Sequence, residues 1–348
     1  MLNQEEPVSV GQRLAMVADR SPAAPALVTD DHVLSYQELR DRVARLAGLL
    51  ADRGVRPGEP VGLLLERGSD FVVGWLAAIW LGAVALPLDP ADPADRNTGV
   101  LRRCGARAVL THARHTGQLG PTQPLVVAVD RERLAAATAT AVAPAAVPDG
   151  RAPAAICCTS GSTGLPKTVL VPHEAVLAGA DFVARHCGAG AGDGHVLKTA
   201  VNFTSVLRQV GWPLLTGGWT YVLPASAGQD LTVLSRALTV HPITMCSFFP
   251  STLNAMLAAG LPLGDSLRHL MFGGEPLPGE LVRRAAGATG AELHNVYGMT
   301  ECNLALWLRC APDADFEVAP LGEPVDGLTV TVDESAGHGE GVPGGAGP

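Results

Sequence analysis

The chain has only two lysines, Lys167 and Lys198, among 25 basic and 34 acidic residues in 348. No segment gathers basic residues into a block, and the formal net charge is -9. A nucleic-acid groove and an anionic membrane surface both need clustered positive charge, so neither is expected as a partner. Charged residues are scarce at 17% against 47% apolar, which excludes a disordered chain and allows a large buried core. No apolar run reaches membrane-spanning length. The longest, Phe71 to Leu86, has 16 residues, is interrupted by Gly74 and Gly82, and stops at Pro87. It reads as a buried helix followed by a strand. The start, MLNQEEPVSV, lacks the charged-then-apolar pattern of a secretory signal. Seven cysteines (Cys104, Cys157, Cys158, Cys187, Cys246, Cys302 and Cys310) show no CxxC spacing, so reduced thiols in a cytoplasmic protein are expected. The sequence shows no internal repeat and no Ser-His-Asp pattern, and its histidines, His173 and His186 among them, read as structural or surface residues.

What is present alternates between two periodicities. Leu39, Val43, Leu46 and Leu50 recur at helical spacing before Gly54, and PVGLLLERG follows as a short buried strand. SDFVVGWLAAIWLG predicts a helix begun by Ser69 or Asp70 and stopped near Gly82. AVALPLDP, RAVLTH and LVVAVD predict further buried strands, and this βαβ rhythm implies a largely parallel sheet covered by helices. Ala135 to Ala155 is rich in alanine, threonine and proline and reads as a connection between subdomains of about 1–134 and 154–308. A β-rich piece begins in 309–348 with PLGEPVDGLTVTVDES, and the glycine-rich end, AGHGEGVPGGAGP, has no apolar periodicity.

The segment AAICCTSGSTGLPKTVLVPH (154–173) carries the most chemistry. A buried strand runs into Thr159, Ser160, Gly161, Ser162, Thr163 and Gly164, then Leu165, Pro166 and Lys167, then a second strand. Small residues expose backbone N–H groups to phosphate oxygens, hydroxyls add donors, and glycine admits close approach. Lys167 supplies a point charge in a chain that otherwise uses arginine almost throughout. The Walker pattern G-x-x-x-x-G-K-[ST] fails here because Pro166 replaces the second glycine and a strand, not a helix, follows.

TSGSTGLPK resembles the signature loop of the AMP-forming adenylate synthetases, a superfamily of acyl-CoA ligases, luciferases and peptide-synthetase adenylation domains. Four other segments resemble that family's motifs in its order: LSYQEL (34–39), LGAVALPLDPADPADR (81–96), FGGEPL (272–277) and NVYGMTE (295–301). Together they cover nearly the whole chain, and the form of the second is the one favoured by amino-acid-activating domains of nonribosomal peptide synthesis. The expected fold class is α/β, with two stacked, helix-flanked, largely parallel sheets and the start of a β-rich subdomain. The resemblance implies ATP and Mg²⁺ as cofactors. It places Thr159 to Gly164 and Lys167 around the β- and γ-phosphates, and Gly274, Glu275, Asn295 and Tyr297 around adenine. Thr300 would touch the α-phosphate and Glu301 would ligate Mg²⁺. The implied reaction is attack of a carboxylate on the α-phosphorus with release of pyrophosphate, which rests on positioning and charge neutralisation. A carrier-protein thiol is the implied acceptor.

KTAVNFTSVLRQVGWP (198–213) resembles the segment that opens the substrate pocket in this family. Domains for α-amino acids usually carry an aspartate after the phenylalanine, whereas Thr204 follows Phe203 here. A buried ammonium without a carboxylate partner is costly, so an aryl, hydroxy, keto or β-amino acid is expected instead. The same resemblance puts Thr204, Ser205, Arg208, Ser247, Met271, Gly273, Val296, Leu304 and Ala305 around the pocket. Arg208 either pairs with a second substrate carboxylate or points to solvent. Family members continue into a ribose-binding aspartate, a hinge and a lid that carries a further lysine. None of these motifs is in the sequence, and Lys167 and Lys198 belong to other motifs, so the chain resembles a C-terminally truncated core. Two other readings stay open: an acyl- or aryl-CoA ligase, and a catalytically incomplete nucleotide-binding remnant.

Overall fold

The computed structural model describes residues 9–120, 125–130, 139–147, 150–159, 167–228, 230–313 and 315–331, with the backbone alone at 344–346. The chain divides into two compact units, Met1–Gln229 and Asp230–Pro348. In the first unit the elements run α1 (Val10–Arg20), β1 (Pro25–Val28), β2 (Val33–Ser35), α2 (Tyr36–Asp52), β3 (Pro60–Leu64), α3 (Ser69–Trp80), β4 (Val84–Leu88) and α4 (Ala94–Arg103). They continue β5 (Ala108–Thr111), β6 (Leu125–Ala128), β7 (Pro153–Thr159), β8 (Lys167–Pro172), α5 (His173–Cys187), β9 (Gly194–Leu197), α6 (Trp212–Thr216) and β10 (Trp219–Val222).

The expected α/β architecture holds. One sheet of this unit has the order β6-β5-β3-β4-β7-β8, parallel except for the last pair. The other aligns β9, β10 and β1 in parallel, with β2 antiparallel at its edge. The composition change between 135 and 155 does not divide the two sheets. β7 and β8 follow it yet complete the sheet begun before it, and β1 and β2 precede it yet pair with β10. Its described part before β7 carries no helix or strand, and Val142 lies against α2 and α3: Val142 N–H donates to Ala44 O (3.2 Å), and Trp80 Nε1 donates to Val142 O (2.8 Å).

Local chemistry explains the helices. α2 begins at a capping box in which Ser35 Oγ accepts from Glu38 N–H and the Glu38 carboxylate accepts from Ser35 N–H. Tyr36, fully buried, then donates from its hydroxyl to Gly218 O at 2.6 Å and ties the helix start to the entry of β10. α3 begins one residue earlier than a side-chain cap would give. Ser69 is already helical, Gly68 is the cap, and no side chain bonds there. Every residue from Phe71 to Trp80 is buried, as an apolar helix between packed layers requires. Among the described residues no helix is long and apolar enough to cross a membrane. All seven cysteines are free thiols.

The second unit runs α7 (Leu231–Val240), β11 (Met245–Phe248), α8 (Pro250–Ala258), β12 (His269–Gly273), α9 (Gly279–Ala288), β13 (Glu292–Tyr297), β14 (Leu306–Cys310), β15 (Glu323–Pro324), β16 (Thr329–Thr331) and β17 (Gly344–Ala346). β11, β12 and β13 are parallel neighbours, β14 and β15 extend them antiparallel, and β16 pairs with β17. In parallel sheets ligands are met at the carboxyl ends of strands. The segments singled out by sequence leave the carboxyl ends of β7, β9, β12 and β13, each within its own unit.

Candidate active site

In the first unit, the phosphate-loop residues Ser160, Gly161, Ser162, Thr163 and Gly164 lie outside the described residues. The two ends of that loop are fixed: Thr159 and Lys167 are direct partners in the antiparallel β7–β8 ladder, so the loop closes a hairpin. Thr159 is half-buried and Lys167 is exposed, with its ammonium available to an anion.

The Lys198–Gly211 segment is built around one buried side chain. Gln209 is 1% exposed, and its Oε1 accepts from Lys198 N–H (2.9 Å), Thr199 N–H (3.3 Å) and Thr199 Oγ1 (3.1 Å). Ser205 Oγ donates to Thr199 Oγ1 at 3.0 Å and joins the network. Successive turns from Ala200 to Leu207 lead into a π-helical turn at Leu207–Gly211, a geometry frequent at functional sites. Thr204 is half-buried in these turns, its carbonyl accepting from Leu207 N–H at 3.0 Å, while the neighbouring Phe203 is 58% exposed. Arg208 sits in the π turn with its guanidinium 6.0 Å from the Trp212 ring centroid, and burial pushes its pKa down to about 10. By surface exposure the residue is half-buried.

Arg67 is a structural participant that no motif singles out. It lies just past β3, and its guanidinium donates to the carbonyls of Leu223 (2.7 Å), Pro224 (2.8 Å) and Lys198. One side chain thereby fastens the carboxyl ends of β9 and β10 to the other sheet of the same unit. Its only sequence signal is an arginine at the end of a buried strand.

In the second unit, Ser247, Met271, Gly273 and Val296 occupy three adjacent parallel strands; Ser247 is opposite Met271, and Gly273 is opposite Val296. Met271 and Val296 are buried, and Ser247 Oγ lies 3.8 Å from Met271 Sδ. Gly274 has φ +84°, and a Cβ there would come within 2.6 Å of the Phe249 ring, so only glycine fits the turn. Two residues assigned to the adenine pocket are engaged elsewhere. Both Glu275 oxygens accept from Ser251, its N–H and its hydroxyl, each at 2.8 Å, which caps the start of α8. Asn295 is 5% exposed and donates from Nδ2 to Pro320 O at 2.8 Å.

Tyr297 ends β13, and Thr300-Glu301 form the tip of the β13–β14 hairpin. Asn303 N–H to Met299 O (2.6 Å) and Ala305 N–H to Tyr297 O (2.9 Å) hold the turn, which places Leu304 and Ala305 in buried positions below it. A Cβ on Gly298 would sit 2.0 Å from Asn303 O, so glycine is again required. Tyr297 is half-buried; burial first, then the neighbouring Cys302 thiol, raises its pKa and keeps the phenol protonated. Glu301 is exposed, and its carboxylate makes no hydrogen bond or ion pair with a described residue.

The AMP-binding enzyme family model matches residues 14–347. A phosphinothricin tripeptide synthetase of Streptomyces viridochromogenes, PhsB, is 36% identical over 320 residues, 90% of this chain and 26% of that protein. Tyrocidine synthase 3 of Brevibacillus parabrevis is 30% identical over 317 residues, 90% of this chain and 5% of that protein. The chain thus spans 26% and 5% of the length of these relatives. Among solved structures, the nonribosomal peptide synthetase FmoA3 superposes with a TM-score of 0.85 at 26% identity, covering 93% of this chain and 35% of that one. The N-terminal subdomain of Klebsiella oxytoca NpsA shares the fold with a TM-score of 0.81 at 23% identity, covering 94% and 83% of the two chains. With a family model running from α1 to the last residues, the chain belongs to the AMP-binding enzyme family.

Proposed function

We propose that this chain binds ATP with Mg²⁺ and activates a carboxylic acid as an acyl-adenylate, for transfer to the phosphopantetheine thiol of a carrier protein in cytoplasmic nonribosomal peptide synthesis. The observation that carries the reading is the β13–β14 hairpin tip, where the exposed Glu301 follows Thr300 just beyond Tyr297 and has no partner among the described residues. The identity to a tripeptide synthetase over 90% of the chain supports it.

In this reading the Thr159–Gly164 loop and Lys167 hold the β- and γ-phosphates, and Thr300 contacts the α-phosphate. Tyr297 lies against adenine, which is bordered by the backbone of Gly274 and Glu275. Glu275 serves through its main chain because Ser251 engages its carboxylate. Asn295 likewise supports the strand and does not touch adenine with Nδ2. Glu301 would hold Mg²⁺, which neutralises charge on the phosphates. A substrate carboxylate oxygen forms a bond to the α-phosphorus, and the bond to the β-phosphate oxygen breaks, its electron pair leaving with pyrophosphate. No side chain need transfer a proton, so positioning and electrostatics supply the catalysis.

The substrate is not an unmodified neutral α-amino acid. Thr204 offers no charge to an ammonium, and Arg208 places a half-buried cation four residues further along the same segment. An aryl, hydroxy, keto or β-amino acid with a second anionic group fits that pair. ATP–pyrophosphate exchange against a panel of such acids and of ordinary α-amino acids tests the proposal. Exchange that needs Mg²⁺ and falls at least about a hundredfold in Glu301→Ala and Lys167→Ala is the expected result. Best exchange with a neutral α-amino acid sinks the Thr204 argument, and silence from folded protein sinks adenylation by this chain alone. Coenzyme A offered in place of the carrier separates a CoA ligase from a peptide-synthetase domain.

A further inference from the structure

At the amino ends of β12 and β13, away from the adenine turn, cross-strand register gathers three groups that the proposed chemistry does not use. His269 lies directly opposite Glu292, and His294 lies two residues along β13 on the same face. His269 Nδ1 and His294 Nε2 are 3.2 Å apart, and Glu292 Oε2 lies 3.7 Å from the first and 3.8 Å from the second. Both imidazoles are buried, at 7% and 2% exposure, while the carboxylate side chain is 37% exposed and opens the cluster to solvent.

The two rings share a hydrogen bond, but that bond does not account for the position of Glu292. The two carboxylate separations exceed hydrogen-bond length, so Glu292 Oε2 bonds to neither ring. The point equidistant from three atoms spaced 3.2, 3.7 and 3.8 Å apart lies about 2.1 Å from each. That is the bond length zinc makes to imidazole nitrogen and to carboxylate oxygen. We propose that His269 Nδ1, His294 Nε2 and Glu292 Oε2 form a binding site for a divalent transition-metal ion of the zinc type, with water at the fourth corner.

The surroundings fit a ligand set. Arg309 engages the other Glu292 oxygen at 2.5 Å, which leaves Oε2 directed at the two rings as an orienting partner should. The Trp307 ring packs on His294 with centroids 4.9 Å apart and fixes its plane. The nitrogen and carboxylate donors suit zinc, cobalt or copper; magnesium prefers an all-oxygen octahedron. Two hydrogen-bonded strands joined through one ion would resist opening at this end of the unit.

The test uses the purified chain, stripped with a chelator and titrated with Zn²⁺ and, separately, Co²⁺. One ion per chain, a higher unfolding temperature, and the intense visible bands of four-coordinate Co²⁺ are expected, and Mg²⁺ should produce none of them. His294→Ala and Glu292→Gln, each shown folded by circular dichroism, should weaken Zn²⁺ binding by at least about tenfold, and Arg309→Met by about tenfold through the orientation of Glu292. Absence of binding, or stoichiometric binding indifferent to these substitutions, overturns the site. Should the variants fail to fold, X-ray absorption on the Zn²⁺-loaded chain decides. Imidazole scattering with a first shell at about 2.0–2.1 Å supports the site, and its absence refutes it.

Discussion

The loop after β9 and the hairpin after β13 both present candidate ligand groups at strand ends, but they are held by opposite means. In the first unit, the backbone at Lys198 and Thr199 is held by side chains: Gln209 from within the segment and Arg67 from the end of β3. In the second, the turn from Tyr297 to Ala305 is held by backbone bonds to backbone, and Gly298 allows the close approach. A loop tied by side chains can be reshaped by single substitutions while its strands persist. A turn tied through its own main chain changes only with the fold. Substrate choice is accordingly expected to vary through the first segment, and the nucleotide end through neither.

The largest expected break in that contrast is Gly298→Ala. The added methyl meets Asn303 O at 2.0 Å, a backbone atom that cannot rotate away, so a stability loss of about 3 kcal/mol or more and loss of nucleotide binding are expected. Denaturant unfolding and fluorescent-nucleotide titration read the two effects. A variant of native stability would show that the turn yields after all. Gln209→Leu comes next. It leaves the Lys198 and Thr199 N–H groups without their acceptor, for about 2 kcal/mol, and should speed amide exchange at 198–206 while the second unit keeps its protection. Gln209→Glu, which retains the acceptor oxygens, should recover part of the loss.

The smallest effect per step is acid sensitivity, which both units share. Burial is the leading cause that pushes His173 and His195 down to about 4, and His294 down to about 3, in the folded chain. Each is unprotonated when native but takes a proton near its ordinary value of 6.5 when unfolded. Their contribution is therefore complete above pH 6.5 and is lost as pH falls toward 4 or 3, at about 1.4 kcal/mol per pH unit for each histidine. Metal-free protein unfolded between pH 7 and about 4.5 should show this slope, and His195→Phe should reduce it. An unchanged slope in that variant would assign the acid sensitivity to other groups.

Much of the frame is legible in residue order. Buried strands such as PVGLL and VALPL are continuous apolar runs because helices cover both faces of a parallel sheet, and S-Y-Q-E announces the capping box of α2 by spacing alone. The TSGSTGLPK loop stood out because its small residues and one of only two lysines have a chemistry of their own. Glu275 and Asn295 have side-chain partners that spacing cannot show. Their side chains bond to Ser251 and to the carbonyl of Pro320. The change in composition near 135–155 suggested a subdomain break because proline and alanine mark irregular backbone, which says nothing of sheet membership.

The sequence by itself determined the alternation of strands and helices, the hairpin character of the 159–167 loop and the absence of any basic patch, since these depend on neighbouring residues and total charge. Only the tertiary structure decided that β1 pairs with β10, that Arg67 reaches the carbonyl of Lys198, and that His269, Glu292 and His294 bring three lone pairs to one point. Those outcomes follow from strand register and packing, which join residues far apart in the chain through many weak contacts and leave no trace in local composition.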